Sequence, residues 1–149
     1  MRLWRISNYA DLSGVGGLVS SARWHSRGQE IVYLAESPAS ALLERLVHLE
    51  IDTDDLPADY QLLAIEIPDH IRFDTVEANS LPRDWQSSER TTQAAGDSWL
   101  REGRTLLLRV PSAITPYTFN WLLNPRHPDA KVAKISEVVR SPFDKRLFR

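Results

Sequence analysis

The amino-acid sequence predicts an α+β protein that forms a single compact domain around a mixed central sheet. Segments with the β-branched and aromatic character of strands outnumber segments with helical spacing. The two kinds do not alternate regularly along the chain, which argues against a doubly wound parallel sheet. A chain of 149 residues with no internal repeat or linker fits one domain with an ordinary hydrophobic core, so we take 1–149 as its extent.

The predicted strands are short, and several end at a proline. The most apolar of them covers Thr105–Pro111 and is expected to lie at the centre of the sheet. The segment between Ser112 and the turn at Asn124 is mixed in character, and no strand is predicted there. The other predicted strands are Leu3–Ile6, Ile31–Leu34, Tyr60–Pro68, Phe73–Val76 and Val132–Val139.

Two helices are predicted. Ser37 can cap the first helix, and Pro38 is tolerated at the first helical position, so this helix begins there and runs to about Leu49. Its leucine-rich face is apolar, and Glu44 lies at the edge of that face. The second helix covers Thr91–Glu102. Segments rich in glycine, acidic residues or other polar residues are predicted loops, namely Asp11–Gly17, Asp52–Asp59 and Ala78–Glu89.

Composition excludes several classes of function. A net charge of -2 argues against binding to a nucleic-acid backbone, which usually requires a basic excess. The absence of cysteine excludes disulfides and thiolate chemistry and fits a reducing cytoplasm. No apolar run approaches a membrane-spanning length, so we expect a soluble cytoplasmic protein. No metal site is predicted, because no ligand-spaced pair occurs among His25, His48, His70 and His127.

One stretch early in the chain places three chemically distinct side chains on three successive elements. Arg23 falls in a loop, Tyr33 in the next strand and Glu44 in the helix that follows. A cation, an aromatic hydroxyl and a carboxylate can therefore converge, as a site that attacks the sugar of an anionic nucleotide would require. Simpler alternatives stay open: a surface arginine stacked on Trp24, a core tyrosine, and a surface glutamate paired with His48.

Four further residues are candidates, each with a simpler alternative. Ser112 follows the most apolar strand and either faces a pocket or caps the next turn, and no Gly-x-Ser-x-Gly motif surrounds it. His25 lies beside Arg23 and either touches a ligand or is a solvated loop histidine. Asn124 and Arg126 belong to a proline-bounded turn, and they either border a pocket or only form the turn.

Four ordered motifs carry a resemblance to a known family. They are Ala22-Arg-Trp-His-Ser-Arg-Gly, Ile31-Val-Tyr-Leu-Ala-Glu-Ser-Pro-Ala-Ser-Ala-Leu-Leu-Glu, Val110-Pro-Ser-Ala and Asn120-Trp-Leu-Leu-Asn-Pro-Arg-His-Pro-Asp. Together they span almost the whole chain and resemble the RES domain family, toxins of bacterial type II toxin–antitoxin pairs named after an Arg, a Glu and a Ser. One departure is Ser21-Ala22, which stands where the family often has a pair of glycines.

The resemblance implies a fold similar to ADP-ribosyltransferase toxins, with a cleft that holds NAD. By it, Arg23 holds the pyrophosphate, Tyr33 packs against the nicotinamide end and orients the ribose, and Glu44 stabilises positive charge on the sugar. Ser112 fixes the sugar or the carboxamide by hydrogen bonding. The implied catalytic residues are these four. The implied NAD-binding residues are Arg23, Trp24, His25, Tyr33, Glu44, Ser112 and Asn124.

The implied activity is cleavage of NAD at the nicotinamide–ribose bond by hydrolysis or phosphorolysis, which depletes cellular NAD and arrests growth. A protein ADP-ribosyltransferase is the first alternative, and a non-enzymatic nucleotide-binding or interaction module is the second. NAD is the substrate in this reading, and neither a cofactor nor a metal is expected. The implied partner is a cognate Xre-type antitoxin, a homodimer is a further option, and neither nucleic acid nor a membrane is expected to bind directly.

Overall fold

The computed structural model describes residues 1–49 and 57–148, and within them seven strands form one mixed sheet. The strands follow the spatial order β4-β5-β6-β2-β1-β3-β7, and all neighbouring pairs among them are antiparallel except β4 with β5. The α+β prediction is thereby confirmed. The strands and helices are β1 (Arg2–Ile6), β2 (Val32–Ala35), α1 (Pro38–Val47), β3 (Asp59–Glu66), β4 (Phe73–Thr75), α2 (Glu89–Glu102), β5 (Leu107–Pro111), β6 (Phe119–Leu123) and β7 (Lys134–Pro142).

Most predicted elements are present, with small shifts in their ends. The main error is β6, because no strand was predicted between Ser112 and Asn124. β5 lies one strand in from the edge rather than at the centre, since the short β4 lies outside it. The loop predicted over Asp52–Asp59 falls mostly outside the described residues, and its last residue begins β3.

The register of the strands assigns side chains to the two faces of the sheet. Tyr33 pairs with Leu122, which pairs with Leu108, so these three side chains share one face. Ala35, two residues after Tyr33, pairs with Asn120, so both side chains lie on that same face. We call it the helical face, because Trp99 of α2 packs with its leucines and because Glu44 of α1 is bonded to it. The opposite face carries a second apolar cluster that contains Val32, Leu34, Leu63, Ile65, Leu107 and Leu123.

Local chemistry fixes the two helices in place. Ser37 accepts a hydrogen bond from the backbone N–H of Ser40 at 3.0 Å, and Pro38 occupies the first turn, as predicted. α2 packs against the turn that contains Trp24 so closely that Gly96 is required: a Cβ there would lie 1.6 Å from the carbonyl oxygen of Trp24. Among the described residues, neither helix has the length and apolar character to cross a membrane.

Candidate functional site

The carboxylate of Glu44 is held against the sheet by two donors from distant parts of the chain. The amide Nδ2 of Asn120 donates to Glu44 Oε1 at 2.7 Å, and the hydroxyl of Ser112 donates to the same oxygen at 3.1 Å. Glu44 is partly buried, and Ser112 is 8% exposed. Among the described residues, the other oxygen, Oε2, accepts no hydrogen bond from the protein. Glu44 therefore presents a carboxylate that is held at one oxygen and has no protein partner at the other among the described residues.

The hydroxyl of Ser112 has a single orientation. Its oxygen accepts from the backbone N–H groups of Ile114 at 3.1 Å and Thr115 at 3.2 Å, in the turn after β5. A serine hydroxyl has one hydrogen to donate and two lone pairs. With both lone pairs engaged, its hydrogen is directed to Glu44, so Ser112 both caps this turn and binds the carboxylate.

Tyr33, Trp24 and His25 form a second group on the helical face. The ring nitrogen Nε2 of His25 lies 2.8 Å from the carbonyl oxygen of Ser20, so Nε2 carries a hydrogen. In the neutral ring Nδ1 is then an acceptor, and the Tyr33 hydroxyl donates to it at 2.7 Å. The same hydroxyl accepts from the backbone N–H of Trp24 at 3.1 Å. Tyr33 thus ties the loop before β2 to the strand itself.

Burial of the Tyr33 hydroxyl among these groups raises the pKa of Tyr33 well above its ordinary value. The negative charges of Asp97 and Glu89 act in the same direction, while the backbone N–H of Trp24 and the charge of Arg23 oppose it. The phenol is therefore a neutral hydrogen-bonding group, and it is not a source of phenolate at physiological pH.

Arg23 is placed by backbone contacts from α2 and the loop before it. Its carbonyl oxygen accepts from the Thr92 hydroxyl, and its Nη1 donates to the carbonyl oxygen of Trp85 at 3.4 Å. This single long bond uses one of five guanidinium N–H donors. Arg23 is partly buried, and its guanidinium makes no other hydrogen bond among the described residues. The alternative of a surface arginine stacked on Trp24 is not supported, because the cation–π contacts of the described residues involve Arg2 and Arg109, and Trp24 is buried and pairs with Trp85.

The register connects the two groups. Tyr33 pairs with Leu122, so Asn120, two residues away on the same face, is its diagonal neighbour. The Cα atoms of such diagonal neighbours lie about 7–8 Å apart. The loop that carries Arg23 is bonded to the Tyr33 hydroxyl, and Glu44 is bonded to Asn120. Tyr33, Asn120 and the carboxylate of Glu44 therefore lie on one face of the sheet, with the Ser112 hydroxyl bonded to that carboxylate. The backbone of the loop that carries Arg23 reaches the same face at the Tyr33 hydroxyl.

Two of the predicted NAD-binding residues are described separately: Asn124 lies away from Glu44, and His25 is buried. Asn124 follows the far end of β6, about 13 Å along the strand from Asn120. It lines a cavity of about 380 Å³ together with Arg126, which confirms that this turn borders a pocket but places the pocket away from Glu44. His25 is 3% exposed, so it is not the solvated loop histidine that was one alternative.

Asn120 is the site residue that the sequence did not reveal. It stands in a segment where no strand was predicted, and it contacts Glu44 across 76 residues of sequence. Its Oδ1 atom is buried and has no hydrogen-bond partner in the described structure. Across residues 1–49 and 57–148, no three His, Asp or Glu side chains converge in a way that could hold a metal ion.

The chain is similar to known proteins over almost its whole length. The sequence profile of the RES domain matches residues 2–144. A toxin of Pseudomonas putida, named Toxin Res, is 50% identical over 148 residues, which cover 99% of this chain and 100% of the relative. A protein of Sphingobium sp. named Prs ADP-ribosylating toxin is 38% identical over 156 residues, with 98% of this chain and 96% of that protein covered.

A solved structure has the same fold. The crystal structure of the M. tuberculosis MbcT–MbcA toxin–antitoxin complex matches with a TM-score of 0.75 at 20% identity, over 95% of this chain and 84% of the matched chain. At that identity the likeness concerns the fold alone. The resemblance that the sequence motifs carried is nevertheless confirmed by the profile match and by the full-length relatives. The chain belongs to the RES domain family of toxins.

Proposed function

We propose that this protein is an NAD-cleaving enzyme that breaks the bond between nicotinamide and ribose, and that it acts as the toxin of a toxin–antitoxin pair. The observation that carries this proposal is the carboxylate of Glu44, which Ser112 and Asn120 hold at one oxygen while the other has no protein partner among the described residues. A carboxylate fixed in this way suits a reaction in which positive charge develops on a sugar.

The chemistry needs little acid catalysis. The nicotinamide of NAD⁺ is bonded to ribose through a positively charged ring nitrogen, so it leaves as a neutral base and takes the bonding electron pair with it. The ribose carbon becomes oxocarbenium-like, and Glu44 Oε2 stabilises this charge or accepts a hydrogen bond from a ribose hydroxyl. Water or phosphate then bonds to that carbon. The products are nicotinamide and either ADP-ribose, with release of a proton, or ADP-ribose 1″-phosphate.

The other residues on the helical face have roles that fit this reaction. The guanidinium of Arg23 would bind the pyrophosphate through paired donors. Tyr33 would orient the nicotinamide end with its ring, because its hydroxyl already bonds to Trp24 and His25. Ser112 would act on the sugar through Glu44, which accepts a hydrogen bond from the Ser112 hydroxyl. Binding of Asn124 to NAD stays a prediction, and its separation from Glu44 favours the far end of the dinucleotide.

The proposal is tested by nicotinamide release from NAD by purified protein freed of any bound antitoxin, with and without phosphate. We expect release by the wild type and a large loss in Glu44→Gln, whereas Glu137→Gln, on the exposed strand β7, should match the wild type. Dependence on phosphate distinguishes phosphorolysis from hydrolysis. Folded wild-type protein that releases no nicotinamide would refute NAD cleavage.

Transfer of ADP-ribose to a protein is the second candidate. It is favoured by one observation, the 38% identity to a protein named Prs ADP-ribosylating toxin. Both reactions share the loss of nicotinamide and differ only in the nucleophile. Incubation with NAD labelled in its adenine half, in a lysate and in buffer, separates them: labelled protein supports transfer, and labelled ADP-ribose without labelled protein supports hydrolysis.

We also propose a cognate antitoxin as the partner, because the structural neighbour is a toxin–antitoxin complex. An Xre-type antitoxin that occludes the cleft is the form implied by the family, and the cytoplasm is the compartment where NAD depletion would act. Co-expression with the cognate antitoxin should relieve growth arrest and yield a stable complex on size exclusion. Growth arrest that persists despite such a complex would contradict inhibition by this partner.

A further inference from the structure

We propose that Asn120 is a positioning residue for the proposed reaction, and that it assigns separate tasks to the two oxygens of Glu44. Oε1 is held by the protein, and Oε2 meets the sugar. This inference rests on the proposed NAD cleavage and adds a residue beyond Arg23, Tyr33, Glu44 and Ser112.

The Asn120 contact is the shorter of the two that hold Glu44, at 2.7 Å against 3.1 Å for Ser112. Asn120 also has the more rigid support. Its backbone pairs with Ala35 of β2 on one side and with Val110 of β5 on the other, so it is an inner-strand residue. Ser112, by contrast, follows the last residue of β5. The amide therefore fixes the carboxylate relative to the sheet.

The amide has one favourable orientation. Its Oδ1 is buried with no partner in the described structure, which costs free energy that the bond from Nδ2 must offset. Rotation by 180° would bring Oδ1, an acceptor, against Glu44 Oε1, which is also an acceptor for Ser112. That arrangement would lose the 2.7 Å bond and bury an unpaired N–H₂ group instead. The presence of Glu44 thus determines the orientation of Asn120.

The consequence for Glu44 is that its carboxyl group cannot rotate freely. Rotation about the bond to the carboxyl group would exchange Oε1 and Oε2, and it would break two hydrogen bonds at once. A carboxylate held in this way needs no rearrangement when charge develops on the sugar, and that absence of rearrangement is the basis of electrostatic catalysis by preorganised groups. Loss of the amide should therefore reduce turnover more than substrate binding.

The test uses Asn120→Ala and Asn120→Asp, with Asn79→Ala and Asn79→Asp in an exposed turn as matched controls. We expect kcat to fall about 10- to 100-fold in Asn120→Ala with KM within about threefold, because a displaced catalytic group reduces rate more than affinity. A loss of kcat/KM that comes from KM alone, or no loss at all, would overturn the inference. Circular dichroism and urea unfolding establish that each variant is folded.

Asn120→Asp gives a readout that a purely structural role would not change. Two carboxyl groups at hydrogen-bond distance share a proton with an apparent pKa above the ordinary carboxyl range. On lowering the pH from about 8 to about 6, the shared proton restores a hydrogen bond to Oε1. The activity of Asn120→Asp relative to wild type should therefore rise as the pH falls. A constant ratio would contradict the proposed contact.

A failure of NAD cleavage itself is distinguishable from a failure of this inference. If the wild type releases no nicotinamide, the contact is tested by the carboxyl ¹³C resonance of Glu44, identified by its loss in Glu44→Gln. We expect that resonance to shift in Asn120→Ala and to stay unchanged in Asn79→Ala. An unchanged resonance in both variants would show that Asn120 does not hold Glu44.

Discussion

The hydroxyl of Tyr33 donates to Nδ1 of His25 at 2.7 Å, and this bond joins a strand of the sheet to the loop that carries Arg23. The loop contributes a second bond to the same hydroxyl through the backbone N–H of Trp24. Tyr33 therefore helps to hold the loop next to Arg23, whose own contacts are with Thr92 and Trp85. A tyrosine that the sequence assigns either to core or to ligand has a structural task in addition to the proposed one.

Replacing Tyr33 with phenylalanine should destabilise the protein. The change leaves the Trp24 N–H and His25 Nδ1 without their partner, and an unsatisfied buried polar group costs about 1–3 kcal/mol. We expect the free energy of unfolding in urea to fall by about 2 kcal/mol. Tyr117→Phe, at a fully exposed side chain, should change it by less than about 0.5 kcal/mol. Equal stability of wild type and Tyr33→Phe would show that these hydrogen bonds do not hold the loop.

The raised pKa of Tyr33 predicts a loss of stability at high pH. Below about pH 10 the phenol is protonated in both states, so its contribution is fully present. Above that pH the unfolded chain loses the proton while the folded state retains it, so the free energy of unfolding falls. The stability difference between wild type and Tyr33→Phe should therefore shrink between about pH 9 and about pH 11. A difference that is constant over this range would contradict burial of the hydroxyl.

Local chemistry was predictable from the sequence, and long-range pairing was not. The start of α1 follows from Ser37 and Pro38 alone, and the hydrogen bond from Ser40 confirms it. β6 was missed because its apolar residues face both sides of the sheet: Leu122 lies on the helical face and Leu123 on the opposite one. A strand buried on both faces lacks the alternation that identifies a strand exposed on one side.

In the candidate site, too, the long-range contacts could not be predicted from the sequence. Glu44 was placed at the edge of a helical face by its spacing, which the structure supports. Its partners Ser112 and Asn120 are 68 and 76 residues away, and no local pattern relates them. The position of Ser112 after the apolar strand made it a candidate for either a pocket or a turn cap. It caps the turn, and its hydroxyl also donates to Glu44. Asn120 begins one of the four family motifs, but no local pattern indicated that its amide would contact Glu44.

Gly96→Ala should destabilise the protein despite the higher helix propensity of alanine. The added Cβ would lie 1.6 Å from the Trp24 carbonyl oxygen, so α2 or the turn before β2 must move. We expect a loss of about 3 kcal/mol in the free energy of unfolding. Gly16→Ala is the control, since no atom lies within 4 Å of the Cβ position there. If the melting temperatures of the two variants agree, the close contact between α2 and Trp24 is absent.

Arg23→Lys should weaken NAD binding selectively. Lysine keeps the charge but cannot form paired hydrogen bonds to a pyrophosphate, so we expect KM for NAD to rise about 10- to 100-fold. Nicotinamide mononucleotide lacks the pyrophosphate, and its turnover should be affected far less. Arg27→Lys, in an exposed turn of the same loop, serves as the control. Equal losses with both substrates would exclude a pyrophosphate role for Arg23.

The most direct test of the central claim is a comparison of NAD binding and NAD turnover in Glu44→Gln. A glutamine of the same shape removes the negative charge that we expect to stabilise the sugar cation. The dissociation constant for NAD should stay within about threefold of wild type, while kcat falls about 100- to 1,000-fold. Equal losses of affinity and turnover, or unchanged turnover, would contradict the assignment of Glu44 as the group that stabilises the transition state.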